Sequence, residues 1–179
     1  REKEAMRLDG RVVLVTGASS GIGRTTAAAF AREGAKVLVA CRRQTEGVET
    51  VRMIEDAGSV GRFVQTDVTR ASDVERMVLG AIHSFGRLDF AFNNAGTAES
   101  PEAFTDQPEE VFDRVMAVTV EGVWLCLKAE MAQMLKSGGG VIVNMSSIGG
   151  VVGAPGAPIY AASKHAVIGL TKSTALEFA

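Results

Sequence analysis

Five short bursts of β-forming residues recur along the chain: Val12 to Thr16, Lys36 to Ala40, Arg62 to Thr66, Leu88 to Phe92 and Val141 to Met145. Each is bounded by glycine or polar residues and reads as a strand. Several are apolar on both faces, which suits parallel strands covered by helices on each side. Helical stretches alternate with them. In Ser72 to Phe85, the residues Val74, Met77, Val78, Ala81, Ile82 and Phe85 form one apolar stripe, with Ser72 as expected N-cap and Glu75 three residues on. Ile22 to Arg32 is alanine-rich and ends before Gly34, a C′ residue. A longer helix is expected from Asp106-Gln107-Pro108 to Lys136, stopped by Gly138-Gly139-Gly140, and a last one from near Tyr160 to Ala179. Strand then helix, five times over, predicts an α/β fold: a doubly wound parallel sheet with helices on both faces.

Nothing in the chain reads as a linker, a low-complexity run or a repeat, so residues 1–179 are expected to form one domain behind a frayed leader over residues 1–7. Lys and Arg number 19 against 21 Asp and Glu, which removes the basic footprint of a nucleic-acid binder. The apolar stretches are short and interrupted, so no membrane-spanning helix is expected. Cys41 and Cys126 stand far apart without a CxxC, and His83 and His165 are too few for most metal cages. The charged start is no secretory signal, which strips the acceptor pattern Asn144-Met145-Ser146 of meaning and makes a reducing cytoplasmic address the expectation.

The first strand runs into Thr16-Gly17-Ala18-Ser19-Ser20-Gly21-Ile22-Gly23, and a helix follows at once. Glycines at 17, 21 and 23 allow a tight turn and close approach of a ligand, and the helix's free N–H groups then face an anion. Between first strand and helix, this is the pattern of a pyrophosphate site; a plain tight turn is the alternative. The same residues fit GxSxG, a hydrolase nucleophile elbow around Ser19 with His165 as base. That alternative is weak, because the elbow normally follows several strands and His165 lies inside a helix. About 20 residues on, where a carboxylate would take the ribose 2′-OH, stand Cys41, Arg42 and Arg43. Two guanidiniums suit a 2′-phosphate, which favours NADP over NAD, unless both arginines are merely solvated. The dinucleotide-binding, Rossmann-type version of this sheet has about six strands. Five are counted, so a segment beyond Ala179 that completes the sheet is expected.

Tyr160 and Lys164 are four residues apart and share a helix face. A free phenol titrates near ~10, and a cation within ~4–6 Å favours phenolate by ~1–3 units, enough to make a general acid/base. Alone, such a pair is usually a helix surface. Here the strand Val141 to Met145 delivers Ser146 and Ser147 at its C-terminal end, where open α/β sheets bind their ligands. Ser147 is placed to donate to a substrate oxygen as it gains charge. Ser146 is either its surface partner or a backbone-bonding serine.

From Leu8 to Ala179 the sequence resembles the short-chain dehydrogenase/reductase family. The resemblance rests on Thr16-Gly17-Ala18-Ser19-Ser20-Gly21-Ile22-Gly23, Asp67-Val68, Asn93-Asn94-Ala95-Gly96, Ser147 and Tyr160-Ala161-Ala162-Ser163-Lys164. It implies that Asp67 and Val68 flank the adenine and that Asn94, Ala95 and Gly96 line the adenosine side and brace the sheet. It implies a catalytic set of Ser147, Tyr160 and Lys164, with Lys164 also on the nicotinamide ribose, and further chain after the last helix. One position departs: in Val118-Thr119-Val120-Glu121-Gly122, Thr119 stands where the family has an Asn that supports a water-linked proton path. The expected function is an oxidoreductase interconverting a secondary alcohol and a carbonyl with NADP(H), NAD remaining open. A non-catalytic dinucleotide-binding sensor or assembly subunit is the second reading, supported by Thr119. The likeness also implies a homotetramer, or a homodimer, through the two long helices, whose Val123, Trp124, Leu127, Ala161, Ala162, Ala166, Val167 and Leu170 serve either that interface or the core.

Overall fold

The computed structural model describes residues 7–100 and 102–178. Residues 1–6 of the expected leader lie outside the described residues. Five strands, β1 (Val12–Thr16), β2 (Lys36–Cys41), β3 (Gly61–Gln65), β4 (Phe90–Asn93) and β5 (Val141–Asn144), form one sheet in the order β3-β2-β1-β4-β5. Every pairing is parallel, with Val15 beside Val39 on one side and Phe92 on the other. The expected doubly wound sheet is present, and its order reverses between β1 and β4.

Both faces of β1 are buried because the pleat sends alternate side chains into two separate cores. Val12 and Leu14, with Leu38, Ala40 and Ala91, meet Val74, Met77, Val78 and Ala81 of α3 (Ala71–Phe85) and Cys126 and Met134 of α5 (Gly122–Lys136). Val13 and Val15, with Val37, Val39 and Phe92, meet Ala27 and Ala31 of α1 (Gly21–Arg32) and Ile54 of α2 (Gln44–Asp56). A smaller cluster joins Val123 and Leu127 to Val167 of α6 (Pro158–Phe178), so these three serve the core, while Trp124 remains 47% exposed.

Several boundaries differ from expectation. Sequence reading delimits no helix between Cys41 and Arg62, yet α2 starts directly after Arg43. Ser72 is not an N-cap: α3 begins one residue earlier, and Arg70 is the capping residue without a side-chain cap. The reach-back is made by Asp73, whose carboxylate accepts from the Asp67 N–H at 3.0 Å. That bond and the Arg76 guanidinium beside it hold the Asp73 carboxyl below the usual range. The long helix is two helices, α4 (Glu109–Met116) and α5, joined through a wide π-helical turn at Ala117–Glu121. Such turns insert one residue into a helix and often mark functional sites. No described helix is long and apolar enough to cross a membrane.

Glu130 of α5 is wholly buried behind β4, where its Oε2 accepts from Asn93 Nδ2 at 2.8 Å. The same amide donates to Asn144 Oδ1 at 3.0 Å, and Asn144 donates to Thr171 Oγ1 at 2.9 Å, linking β4, β5 and α6. Burial raises the Glu130 pKa to about 7, partly offset by the Asn93 bond. The native chain thus keeps a proton there that an unfolded chain releases above 4.5, so stability falls as pH rises from 4.5 to about 7. Glu130→Gln should flatten that slope, stabilising the fold above pH 7 by up to about 3 kcal/mol and changing it little below pH 4.5. Thermal melts at the two ends of the range measure the difference.

Candidate active site

Where β1 and β4 part, the Thr16 hydroxyl accepts from the backbone N–H groups of Asn94 and Ala95 at 3.0 and 3.1 Å. Asn94 Nδ2 returns to the carbonyls of Thr16 and Gly17 at 3.2 and 3.3 Å. These bonds close the floor of a crevice of ≈ 330 Å³ lined by Gly17, Ser19, Ser20, Cys41, Arg42, Arg43, Asp67, Val68, Asn94, Ala95 and Gly96, among others. Of the sequence-predicted ligand residues, only Gly21, Ile22 and Gly23 of the turn, with Tyr160 and Lys164, fall outside that lining.

The glycine turn leaves α1 open at its N-terminus. Ser20 makes no side-chain cap, and Ile22 is 60% exposed. A Cβ at Gly23 would stand 2.5 Å from the Gly17 carbonyl oxygen and 2.6 Å from Asn94 Nδ2, so only glycine fits that packing. Gly21 has φ +53° and faces open space. Arg24 Nη2 donates to the Ser19 carbonyl at 2.6 Å and to Glu49 at 2.8 Å, tying the turn to α2. Uncapped N–H groups and a positive helix end fit a phosphate-bearing ligand.

Arg43 is more than a solvated charge. Its Nη2 donates to Ser19 Oγ at 2.9 Å and Ser20 Oγ at 3.0 Å, and its Nη1 pairs with Glu46 at 3.2 Å. Arg42 is exposed beside it. Cys41 is 5% exposed, and burial pushes its thiol up against the pull of Ser19 and Arg43. Asp67 turns its carboxylate onto Thr69, accepting from its N–H and hydroxyl at 3.1 and 2.8 Å.

On α6, Lys164 is 3% exposed, and its Nζ donates to the Met145 carbonyl at 2.7 Å. It stands 5.5 Å from the Tyr160 ring centroid, and burial lowers its pKa. A Cβ built on Gly149 would lie 3.7 Å from both Ser147 Oγ and Tyr160 Cδ1, so both side chains flank Gly149. Ser147 Oγ accepts from the Gly149 N–H at 3.2 Å, which leaves its own hydrogen free to donate. Ser146 is the backbone-bonding serine, donating to the Lys164 carbonyl at 3.1 Å. Ser147, Tyr160 and Lys164 are thus brought together. Ser19 and His165 are not paired, since Ser19 Oγ accepts from Arg43 and His165 Nδ1 bonds the Ala161 carbonyl at 2.9 Å.

Two residues near this centre show roles that sequence reading missed. Thr119, fully buried in the π turn, exchanges hydrogen bonds with the Thr97 backbone, its hydroxyl donating to the carbonyl and accepting from the N–H, both at 3.3 Å. Glu99 is 8% exposed and accepts from the N–H groups of Ile159 and Tyr160. A single acidic residue in an irregular loop carries no periodic signal, and only its partners 60 residues on reveal it.

Known proteins with the same features extend across nearly the whole chain. Residues 11–179 match the profile of the short chain dehydrogenase family. The chain is 47% identical over 174 residues to an A-factor type gamma-butyrolactone 1'-reductase (1S-forming) of Streptomyces virginiae, covering 96% of this chain and 67% of that protein. Among solved structures, levodione reductase aligns with TM-score 0.92 at 35% identity, over 96% of this chain and 67% of that one. NAD+-bound xylitol dehydrogenase aligns with TM-score 0.93 at 35% identity, over 96% and 66%. The chain therefore spans about two thirds of the length of these relatives. Glycine turn, crevice, Ser-Tyr-Lys centre and sequence identity agree: this chain belongs to the short chain dehydrogenase family of oxidoreductases.

Proposed function

We propose that the chain binds NADP(H) in the glycine-lined crevice and interconverts a secondary alcohol and a carbonyl. The observation that carries this reading is the buried Lys164 ammonium, fixed on the Met145 carbonyl and set 5.5 Å from the ring of Tyr160, with Ser147 and that ring both flanking Gly149. Gly17, Ser19, Ser20, Gly21, Ile22 and Gly23 hold the pyrophosphate on the open end of α1. Cys41, Arg42 and Arg43 hold the far ribose, Asp67 and Val68 the adenine, Asn94, Ala95 and Gly96 the adenosine side, and Tyr160 with Lys164 the nicotinamide ribose. When bound, the nicotinamide supplies the hydride for reduction or accepts it in oxidation.

The chain's own residues handle the oxygen. Ser147 donates a hydrogen bond to it and steadies its growing charge during reduction. Tyr160 delivers the proton in that direction and takes it back in the other. Lys164, held out of water, acts on the phenol through a medium in which charge is weakly screened. Arg43, already braced on Ser19 and Ser20, supports the 2′-phosphate of NADP, although xylitol dehydrogenase carries NAD+. Two free cysteines, Cys41 and Cys126, suit a cytoplasmic address, and the exposed Trp124 suits assembly of copies into a homotetramer through α5 and α6. A single Rossmann-type domain over residues 1–179 completes the proposal.

A second reading, a dinucleotide-binding sensor without useful turnover, is favoured by one observation. The Thr119 hydroxyl is engaged on both sides by Thr97, so it offers little to a water-linked proton path. Nucleotide binding followed by a panel of ketones separates the two: NADPH that binds and is never oxidised supports the sensor.

Tyr160→Phe should lower turnover by about 10²-fold or more while NADPH affinity, read by fluorescence, changes little. Turnover equal to the parent's would remove the mechanism. Arg43→Ala should weaken NADPH by about tenfold to a hundredfold, the loss of a charge-assisted contact, and weaken NADH markedly less. Equal loss for both nucleotides would withdraw the preference for NADP.

A further inference from the structure

The two members of the reacting pair are anchored by different strands. Lys164 is held from β5, by the carbonyl of Met145. Tyr160 sits one turn earlier, third in α6 after Pro158 and Ile159, in a turn whose N–H groups have no partners within the helix. Pro158 has no N–H to satisfy. The Ile159 N–H donates to Glu99 Oε1 at 2.8 Å, and the Tyr160 N–H is shared between Oε1 and Oε2 at 3.2 and 3.0 Å. The first bond belonging to the helix ladder is that of Ala161 to the Ala157 carbonyl, at 3.0 Å. The two open donors of this turn are thus filled by a carboxylate 60 residues away.

Glu99 is only 8% exposed, so its charge is compensated by those N–H groups and by the positive end of α6. It stands in the segment that leaves β4 through Asn94, Ala95 and Gly96, the wall of the crevice. Thr97, two residues before it, is tied to Thr119 of the π turn. We propose that Glu99 is a positioning residue for Tyr160: by seizing the first turn of α6 it fixes the tyrosine relative to Lys164 and locks it to the wall of the nucleotide crevice. The proposal rests on the reading of Tyr160 as the proton-exchanging group.

Position and charge have opposite signatures. The pull of the ammonium on the phenol falls as the two separate, so losing the anchor makes the phenol harder to ionise. Losing the negative charge of Glu99 alone makes it easier. Tyr160 is the one tyrosine in the sequence, so the ultraviolet absorbance gained when a phenol ionises reports it directly, with Tyr160→Phe as the blank. Glu99→Ala should move the midpoint of that titration to higher pH by about half a unit or more. Glu99→Gln, which keeps an acceptor oxygen, should stay at or below the parent's midpoint. An E99A variant that titrates with the parent or below it, or an E99Q variant that rises as far as E99A, overturns the proposal. A residue that merely adds stability would lower the melting temperature of both variants without this split.

If E99A does not fold, hydrogen exchange on the parent decides. Slowed exchange of the Ile159 and Tyr160 amides supports the anchor, and exchange at unprotected rates refutes it. Neither readout needs nucleotide or carbonyl. A parent whose Tyr160 titration follows Glu99 but which turns over no carbonyl refutes the proposed function and leaves the anchor standing.

Discussion

An ammonium group withdrawn from water is costly, typically several kcal/mol before compensation. Lys164 is 3% exposed, and the structure around it is arranged to meet that cost. The Met145 carbonyl takes one of its hydrogens at the end of β5, and the ring of Tyr160 lies 5.5 Å away. Both contacts require α6 to cross beside the C-terminal end of the sheet. Ser146, one residue beyond Met145, secures that crossing by donating to the carbonyl of Lys164 itself.

The crevice follows from the order of the strands. With β2 on one side of β1 and β4 on the other, the connections leave in opposite directions, and the space between them is the natural place for a ligand. The Thr16 hydroxyl closes its floor by bridging to Asn94 and Ala95, and the glycine turn opens its mouth by leaving α1 uncapped. Arg24 and Arg43 both reach the turn, one at the Ser19 carbonyl and the other at the hydroxyls of Ser19 and Ser20. A flexible glycine segment is thereby held in shape before any ligand arrives.

Spacing made much of this legible in the sequence. Glycines 17, 21 and 23 between strand and helix, and Tyr160 and Lys164 at one helical turn, carry their geometry in their intervals. The five strands were legible because valine-rich bursts are short and bounded. Helix α2 was harder to delimit, since Gln44–Asp56 buries only Gly47, Thr50 and Ile54 and shows a thin apolar stripe. Ser72 looked like a cap because capping residues are recognised by type, whereas Arg70 holds the cap position and Asp73 reaches back to the Asp67 N–H. Glu99 and Glu130 escaped for a common reason: a buried carboxylate is identified by its distant partners, here Ile159 and Tyr160 in one case and Asn93 in the other. Thr119 was visible as a departure, but that its hydroxyl is spent on Thr97 required coordinates.

Neighbouring strands carry the two halves of the proposed reaction centre, β4 through the Glu99 loop and β5 through Met145. Their side-chain tie at that end is the amide bridge from Asn93 to Asn144 at 3.0 Å. The spacing of phenol and amine therefore depends on the parallel register of β4 and β5, which sets Asn93 beside Asn144.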